Sequence, residues 1–183
     1  MKSIKAIILA AGRGTRMKSD TPKVLHEILG KPMISYVTDA VSRAGVKDIV
    51  VVTGFGSDKV KGFFYGTRVK TVVQKRLLGS ADAVAAAKRE IRRYSDLLVV
   101  YGDTPLITEG TLKKLIKKHK SSGASLTLLT AVLKDPAGYG RIIRDAGGKI
   151  TKIAEEREAR EYKKEIGEIN VGTCIFRSGD LLD

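Results

Sequence analysis

Ile4-Lys5-Ala6-Ile7-Ile8-Leu9-Ala10-Ala11-Gly12-Arg13-Gly14-Thr15-Arg16-Met17-Lys18-Ser19-Asp20-Thr21-Pro22-Lys23 is the stretch on which the fold turns. Its apolar beginning, Ile4–Leu9, has the length and composition of a short buried strand. The strand runs out into a loop broken by Gly12 and Gly14 and studded with Arg13, Arg16, Lys18 and Lys23. Residues without a Cβ let the backbone turn sharply and present bare N–H groups. Successive N–H groups in such a turn form an anion-binding concavity, and the cations beside it put positive charge where a polyphosphate would sit. Two glycines alone signal only a turn; the cations around them, with Lys23 behind Pro22, shift the reading to anion binding. The dinucleotide fingerprint is excluded because Met17 occupies the position of its third small residue. The Walker A loop is excluded because no G-x-x-x-x-G-K-[ST] string occurs. The expectation is a loop that holds a nucleoside triphosphate, with later segments supplying base, sugar and metal contacts.

The chain's 183 residues suggest one domain with a substantial core. Hydrophobic and charged fractions of 43% and 30% are those of a soluble globular protein. No apolar run approaches the roughly 18 residues of a membrane helix. The first apolar run is too short, and too soon followed by glycine and arginine, for a secretory signal. The single cysteine, Cys174, excludes an internal disulfide and suits a reducing, cytoplasmic compartment. Set in an apolar run, it reads as a buried structural thiol. A net charge of +14 would attract nucleic acid, an acidic membrane surface or small anionic substrates. With four Phe, six Tyr and no Trp there is little material for base stacking, and no nucleic-acid-binding motif appears. Lys113–Lys120, with Leu115 and Ile116 inside it, reads as a helix with a solvated lysine face. A basic nucleic-acid-binding module is therefore disfavoured against small anionic substrates.

Strand-like and helix-like segments alternate. Strands are expected at Ile4–Ala10, Asp48–Thr53, Val69–Val73, Asp96–Tyr101 and Ser125–Leu133. Helices are expected at Met33–Ala44, Ser57–Phe64, Ser80–Arg93 and from a Thr108 cap to His119. This alternation predicts an α/β, Rossmann-like, mostly parallel sheet with helices on both faces. Ligands of such sheets sit beyond the carboxyl ends of the strands, so the loops after Leu9, Val73 and Tyr101 are where chemistry belongs. Arg141–Arg144 and Lys149–Ala154, joined through Gly147-Gly148, predict a small β-hairpin lid. The charged stretch Glu156–Lys164 reads as helical or loose, and a last strand runs through Phe176.

Two of those loops carry candidate binding groups. After Val73, Gln74 offers a donor and an acceptor, as a uracil edge requires. Gly79 allows close backbone approach, and Ser80 suits a helix N-cap. The same residues also fit a plain surface turn with a capped helix. After Tyr101, Asp103 follows Gly102 and precedes Pro105. It fits either a strand-end turn or a hard oxygen ligand for Mg²⁺, which binds through one or two carboxylates plus substrate phosphates. Gly140, Glu155 and Asn170, read as residues alone, are ordinary surface positions.

Leu9-Ala10-Ala11-Gly12-x-Gly14-Thr15-Arg16-Met17, Pro22-Lys23-Val24-Leu25-His26 and Gly30-Lys31-Pro32-Met33 together resemble the signature of the sugar-1-phosphate nucleotidylyltransferases. The Pro22–His26 form resembles one branch, the N-acetylglucosamine-1-phosphate uridyltransferase domain of the bifunctional uridyltransferase/glucosamine-1-phosphate acetyltransferases. The likeness covers nearly the whole chain. It implies a nucleotide-diphospho-sugar transferase fold that joins UTP and N-acetylglucosamine 1-phosphate into a cell-wall precursor, UDP-N-acetylglucosamine, with Mg²⁺ as cofactor. Carried over residue by residue, Leu9, Ala10, Ala11, Gly12 and Gly14 cradle the nucleotide, and Gln74, Gly79 and Ser80 read the base. Tyr101 and Gly102 lie against the nucleotide-sugar. Gly140, Glu155 and Asn170 meet the amino sugar and its N-acetyl group. Arg16 holds the leaving pyrophosphate, Lys23 neutralises the α-phosphate and the incoming phosphate, and Asp103 ligates the metal. Where the family has Gly-Thr-Ala-His-Ala, this chain has Gly79-Ser80-Ala81-Asp82-Ala83, so a carboxylate replaces a histidine. Arg157-Glu158 stand where Lys-Asp is usual. The family's second metal ligand, an asparagine, and its β-helix acetyltransferase domain, through which full-length members oligomerise, have no counterpart before Asp183. A nucleotidylyltransferase domain cut short at its end is therefore expected. The alternatives are a related enzyme for another sugar or base, and a short form that binds nucleotide-sugar with little turnover.

Overall fold

The computed structural model describes residues 4–156, 158 and 166–182. They fall into two compact units, Met1–Thr127 with Cys174–Asp183, and Leu128–Thr173. Most of the predicted segment Glu156–Lys164 lies outside the described residues.

The first unit is built on β1 (Ile4–Ala10). Short strands β2 (Glu27–Ile28) and β3 (Lys31–Pro32) follow, then α1 (Met33–Arg43), β4 (Asp48–Thr53) and α2 (Ser57–Phe63). Next come β5 (Lys70–Val73), α3 (Ser80–Ala86), α4 (Lys88–Ile91), β6 (Asp96–Tyr101) and α5 (Glu109–Ser122). The strand order is β5-β4-β1-β6. β1 runs parallel to both neighbours, with Ile7 opposite Val50 on one side and Val99 on the other. That explains its apolar run from Ala6 onward: Ala6, Ile7 and Ile8 are fully buried because both edges are bonded and both faces covered. Met33, Ile34, Val37, Ala40 and Val41 recur at helical spacing and form the buried face of α1. Each fully buried Ile, Leu or Val contributes roughly 1.5–3 kcal/mol. The α/β, mostly parallel reading of the sequence is thus the observed one.

The last strand, β10 (Glu168–Arg177), enters this unit at Cys174 and runs antiparallel to β6, pairing Cys174 with Val99 and Ile175 with Leu98. Cys174 is buried, as its apolar setting predicts, and burial pushes its thiol up to about 12. Helix α6 (Gly179–Leu182) follows.

Three local differences from the sequence reading have physical causes. Ser80–Arg93 is two helices, because the chain tightens at the fully buried Ala87, whose N–H donates to Val84 at 3.0 Å. Every residue there is compatible with helix, so nothing local marks the break. The β2–β3 hairpin, absent from the reading, turns on Leu29 and Gly30, both left-handed at φ 52 and 73. A leucine at the first turn position hides the usual x-Gly signal. The N-cap of α3 is Gly79 rather than Ser80, which is the first helical residue and makes no side-chain cap bond. Thr108 does cap α5, its hydroxyl accepting the Thr111 N–H at 3.2 Å.

In the second unit, β8 (Arg141–Arg144) and β9 (Ile150–Ala154) form the expected hairpin, with Ile142 opposite Ile153. Asp145 shapes its turn by accepting from the N–H groups of Gly147 and Lys149 at 3.0 and 2.9 Å. Ile169 of β10 pairs with Arg141 of β8. β7 (Leu126–Val132) also pairs with β10.

Candidate active site

A cavity of about 420 Å³ opens in the first unit at the carboxyl ends of its parallel strands. The loop after β1 contributes Leu9, Ala10, Ala11, Gly12 and Gly14; the segment after β5 contributes Gln74 and Gly79; the start of α3 contributes Ser80. Lys23, Tyr101 and Asp103 complete the polar lining. Open space surrounds the position a Cβ on Gly12 would take, so the loop leaves room there for a bound group. Gly14 has a different task. At φ 59 it takes a left-handed conformation, and a Cβ on it would lie 2.7 Å from that of Lys23. Its bareness lets the glycine loop close down on the lysine.

Lys23 opens a 3₁₀ turn, Lys23–Leu25, that follows Pro22 and is anchored by the Leu25 N–H bond to the Pro22 carbonyl at 2.8 Å. Its ammonium donates to Asp103 Oδ2 at 2.6 Å across 80 residues of sequence. Asp103 is held just past β6 by a turn in which the Thr104 hydroxyl donates to the Tyr101 carbonyl at 2.7 Å. The two side chains are 39% and 30% exposed, so the pair faces solvent and is worth only about 0.5–1 kcal/mol. It is a weak contact between the candidate phosphate-binding cation and the candidate metal ligand, open to rearrangement by an incoming anion or cation.

Gln74 continues β5, its N–H donating to the Thr53 carbonyl at 2.8 Å, and its residue is only 5% exposed. Its side-chain nitrogen donates to Asp82 Oδ2 at 2.7 Å and to the Gly79 carbonyl at 3.1 Å. The sequence reading gives this amide a donor and an acceptor for the base. In the structure both donor hydrogens are committed inside the protein, and Oε1 is the atom left to meet a ligand.

Other expected residues stand elsewhere. Arg16 is exposed on the 3₁₀ turn Thr15–Met17 and does not line the cavity. Gly102 is buried behind the lining: its N–H bonds the Leu9 carbonyl at 2.8 Å, and a Cβ there would press on that carbonyl and on Val24 at 3.2 Å. Its role is close packing of the turn against β1. Arg13 lies over the Phe55 ring, 5.4 Å from its centroid. Gly140, Glu155 and Asn170 belong to the second unit and cluster there. The Asn170 N–H donates to the Gly140 carbonyl at 2.8 Å, and Glu155 Oε2 lies 3.7 Å from the position of a Gly140 Cβ. Asn170 Oδ1 accepts the Gly172 N–H at 2.9 Å. The sequence reading does not include Val24, Leu77 and Ala83, which extend the apolar wall formed by Leu9, Ala10 and Ala11. Val24 and Ala83 sit within motifs already quoted; Leu77, in an irregular loop, carries no periodic signal.

A cavity at the ends of parallel strands, walled by a glycine-broken loop, Lys23 and Asp103, suits the phosphates of a nucleotide. The chain belongs to the MobA-like NTP transferase domain family, whose pattern matches residues 6–165. Among curated relatives, the bifunctional protein GlmU of Pelotomaculum thermopropionicum is 49% identical over 98% of this chain and 39% of its own length. That of Geobacillus thermodenitrificans is 46% identical over 93% of this chain and 37% of its own length. The chain thus spans about two fifths of the curated relatives it matches. Among solved structures, HddC from Yersinia pseudotuberculosis complexed with GMP-PN superposes with a TM-score of 0.78 at 25% identity, covering 100% of this chain and 80% of that one. A putative glucose-1-phosphate thymidylyltransferase from Bacillus anthracis shares the fold, with a TM-score of 0.80 at 21% identity over 98% of this chain and 73% of its own. No helix among the described residues is long and apolar enough to cross a membrane.

Proposed function

We propose that this chain transfers UMP from UTP to N-acetylglucosamine 1-phosphate, forming UDP-N-acetylglucosamine and releasing pyrophosphate. The observation that carries the reading is the meeting of Lys23 and Asp103 at one cavity with the glycine loop and Gln74. The GlmU relatives, 45–49% identical over most of this chain, support the choice of sugar and base.

The sugar phosphate is already an anion, so the reaction needs positioning and charge neutralisation more than a base. One of its oxygens bonds to the α-phosphorus of UTP as the bond from that phosphorus to the bridging β-oxygen breaks, and pyrophosphate leaves in line. Lys23 releases Asp103 and neutralises the α-phosphate and the incoming phosphate. The Gly12–Gly14 backbone cradles the triphosphate, and Gln74, Gly79 and Ser80 hold the base. Arg16 engages the pyrophosphate from the exposed turn once ligand is bound. Tyr101 faces the nucleotide-sugar, with Gly102 packed behind it against β1, while Gly140, Glu155 and Asn170 take the N-acetylated sugar.

Asp103 would hold Mg²⁺. The donor chemistry fits: the Asp103 carboxylate lines the cavity beside the glycine loop, and Mg²⁺ needs few protein carboxylates when substrate phosphates supply the rest. When bound, the ion supplies Lewis-acid stabilisation of charge on the phosphate oxygens. With UTP as substrate, the reaction belongs to the cytoplasm.

The test is a pyrophosphate-release assay over a panel of nucleoside triphosphates and sugar phosphates with Mg²⁺, paired with UDP-N-acetylglucosamine calorimetry. Turnover or binding confined to UTP and N-acetylglucosamine 1-phosphate is expected. Preference for a different pair would move the chain to a related nucleotidylyltransferase. Absence of both turnover and nucleotide binding would end the proposal.

A further inference from the structure

We propose that Asp82 is a positioning residue for base selection: it locks the Gln74 amide so that only an acceptor oxygen is presented to the nucleobase. The inference rests on the uridylyltransferase reading above and adds to it a residue that does not itself line the cavity.

The geometry is explicit. Gln74 is nearly inaccessible, and both hydrogens of its amide nitrogen are used, one on the Asp82 carboxylate at 2.7 Å and one on the Gly79 carbonyl at 3.1 Å. A carboxylate accepts and never donates. Flipping the amide would set Oε1 against two acceptor oxygens and lose both bonds, so one orientation is enforced chemically. Among the described residues no hydrogen bond reaches Oε1, and Gln74 lines the cavity. Without Asp82 the Gly79 carbonyl alone would hold the nitrogen, and a glutamine could turn either end toward a ligand.

The consequence is selection at one ring position. Uracil carries a hydrogen on N3, and cytosine carries a lone pair there. A fixed acceptor facing N3 bonds the first and repels the second, and a site built around such a bond discriminates far better than one relying on shape. A freely turning amide would serve both bases. Asp82 also occupies the first turn of α3, where a carboxylate favours the helix. That role would change stability and leave base preference unmoved.

The experiment measures UTP and CTP binding by calorimetry, and pyrophosphate release with each nucleotide, for the unaltered chain, Asp82→Ala and Asp82→Asn. Asp82→Lys is included because an ammonium donor would attract Oε1 and turn the nitrogen outward. Circular dichroism confirms folding. Asp82→Ala is expected to lower the preference for UTP over CTP about tenfold, the scale of one oriented hydrogen bond. Asp82→Asn, which keeps an oxygen for the Gln74 nitrogen, should retain most of the preference, and Asp82→Lys should shift it further toward CTP. In a Gln74→Met background, Asp82→Ala should leave the ratio unchanged, because Asp82 acts through the amide. If either Asp82→Ala or Asp82→Lys folds, binds UTP and keeps the original ratio, Asp82 has no such role, although the uridylyl reading survives. An unaltered chain that does not prefer UTP overturns both.

Discussion

Replacing Lys23 with alanine separates a catalytic cation from a structural one, and the structure sets both magnitudes. The ammonium meets Asp103 at 2.6 Å, with the two side chains 39% and 30% exposed. An ion pair this open to water contributes about 0.5–1 kcal/mol, discounted for screening. For a chain of this size that corresponds to a melting shift of about 2–4 °C at most. The lysine stem leaves no large void, because it lies at a solvent-lined cavity beside Gly14 rather than in the core. The effect on turnover is set differently. A cation aimed at a phosphate whose charge is redistributed in the transition state is worth about 10²–10³ in rate, or ~2.7–4 kcal/mol. Lys23→Ala should therefore lose far more activity than stability. Asp103→Asn is the companion: it removes the same pair, at a similar small stability cost, and abolishes the metal dependence of UTP binding. The assays are pyrophosphate release, UTP calorimetry with and without Mg²⁺, and thermal denaturation followed by circular dichroism. A Lys23→Ala protein turning over at the original rate would refute the catalytic role. A melting loss well beyond ~8 °C would show that the pair is a structural element and that the exposure argument is wrong.

Arg144 donates twice to Glu168, at 2.8 Å each, and these bonds hold the Glu168 carboxyl below its ordinary 4.5. Because its folded value is depressed, this pair stabilises above about pH 4.5 and the contribution fades as pH falls through the lowered value. Glu168→Gln should destabilise the protein at pH 7, and the loss should shrink as pH falls below 4.5; urea titrations that show equal losses at pH 7 and in acid would contradict this. Cys174, with its thiol pushed up to about 12 in a buried strand, should resist thiol reagents at pH 8 until the protein unfolds. Rapid labelling of the native chain, seen by mass spectrometry, would show that β10 opens readily. Leu29 is 97% exposed and left-handed at φ 52, so Leu29→Asn should raise stability by about 1 kcal/mol by relieving strain at no cost in packing. A lower melting temperature would mean the leucine makes contacts that its exposure denies.

What the sequence determined by itself is the part of this protein written in short-range pattern. An apolar run ending in glycines makes β1 and its loop; the spacing of Ile34, Val37 and Val41 makes α1; a threonine before Glu109 caps α5. Alternating strands and helices then force parallel pairing and place Leu9, Gln74 and Tyr101 at one sheet end, because crossovers return each strand in the same direction. The tertiary structure alone decided which groups touch. Lys23 and Asp103 pair across 80 residues because two neighbouring strands deliver their loops to the same rim. Gln74 commits its donors to Asp82 and the Gly79 carbonyl, Gly102 packs behind the wall, and Arg16 stays in water. None of these has a local signature: hydrogen-bond partners and burial depend on distances between segments, which periodicity does not encode.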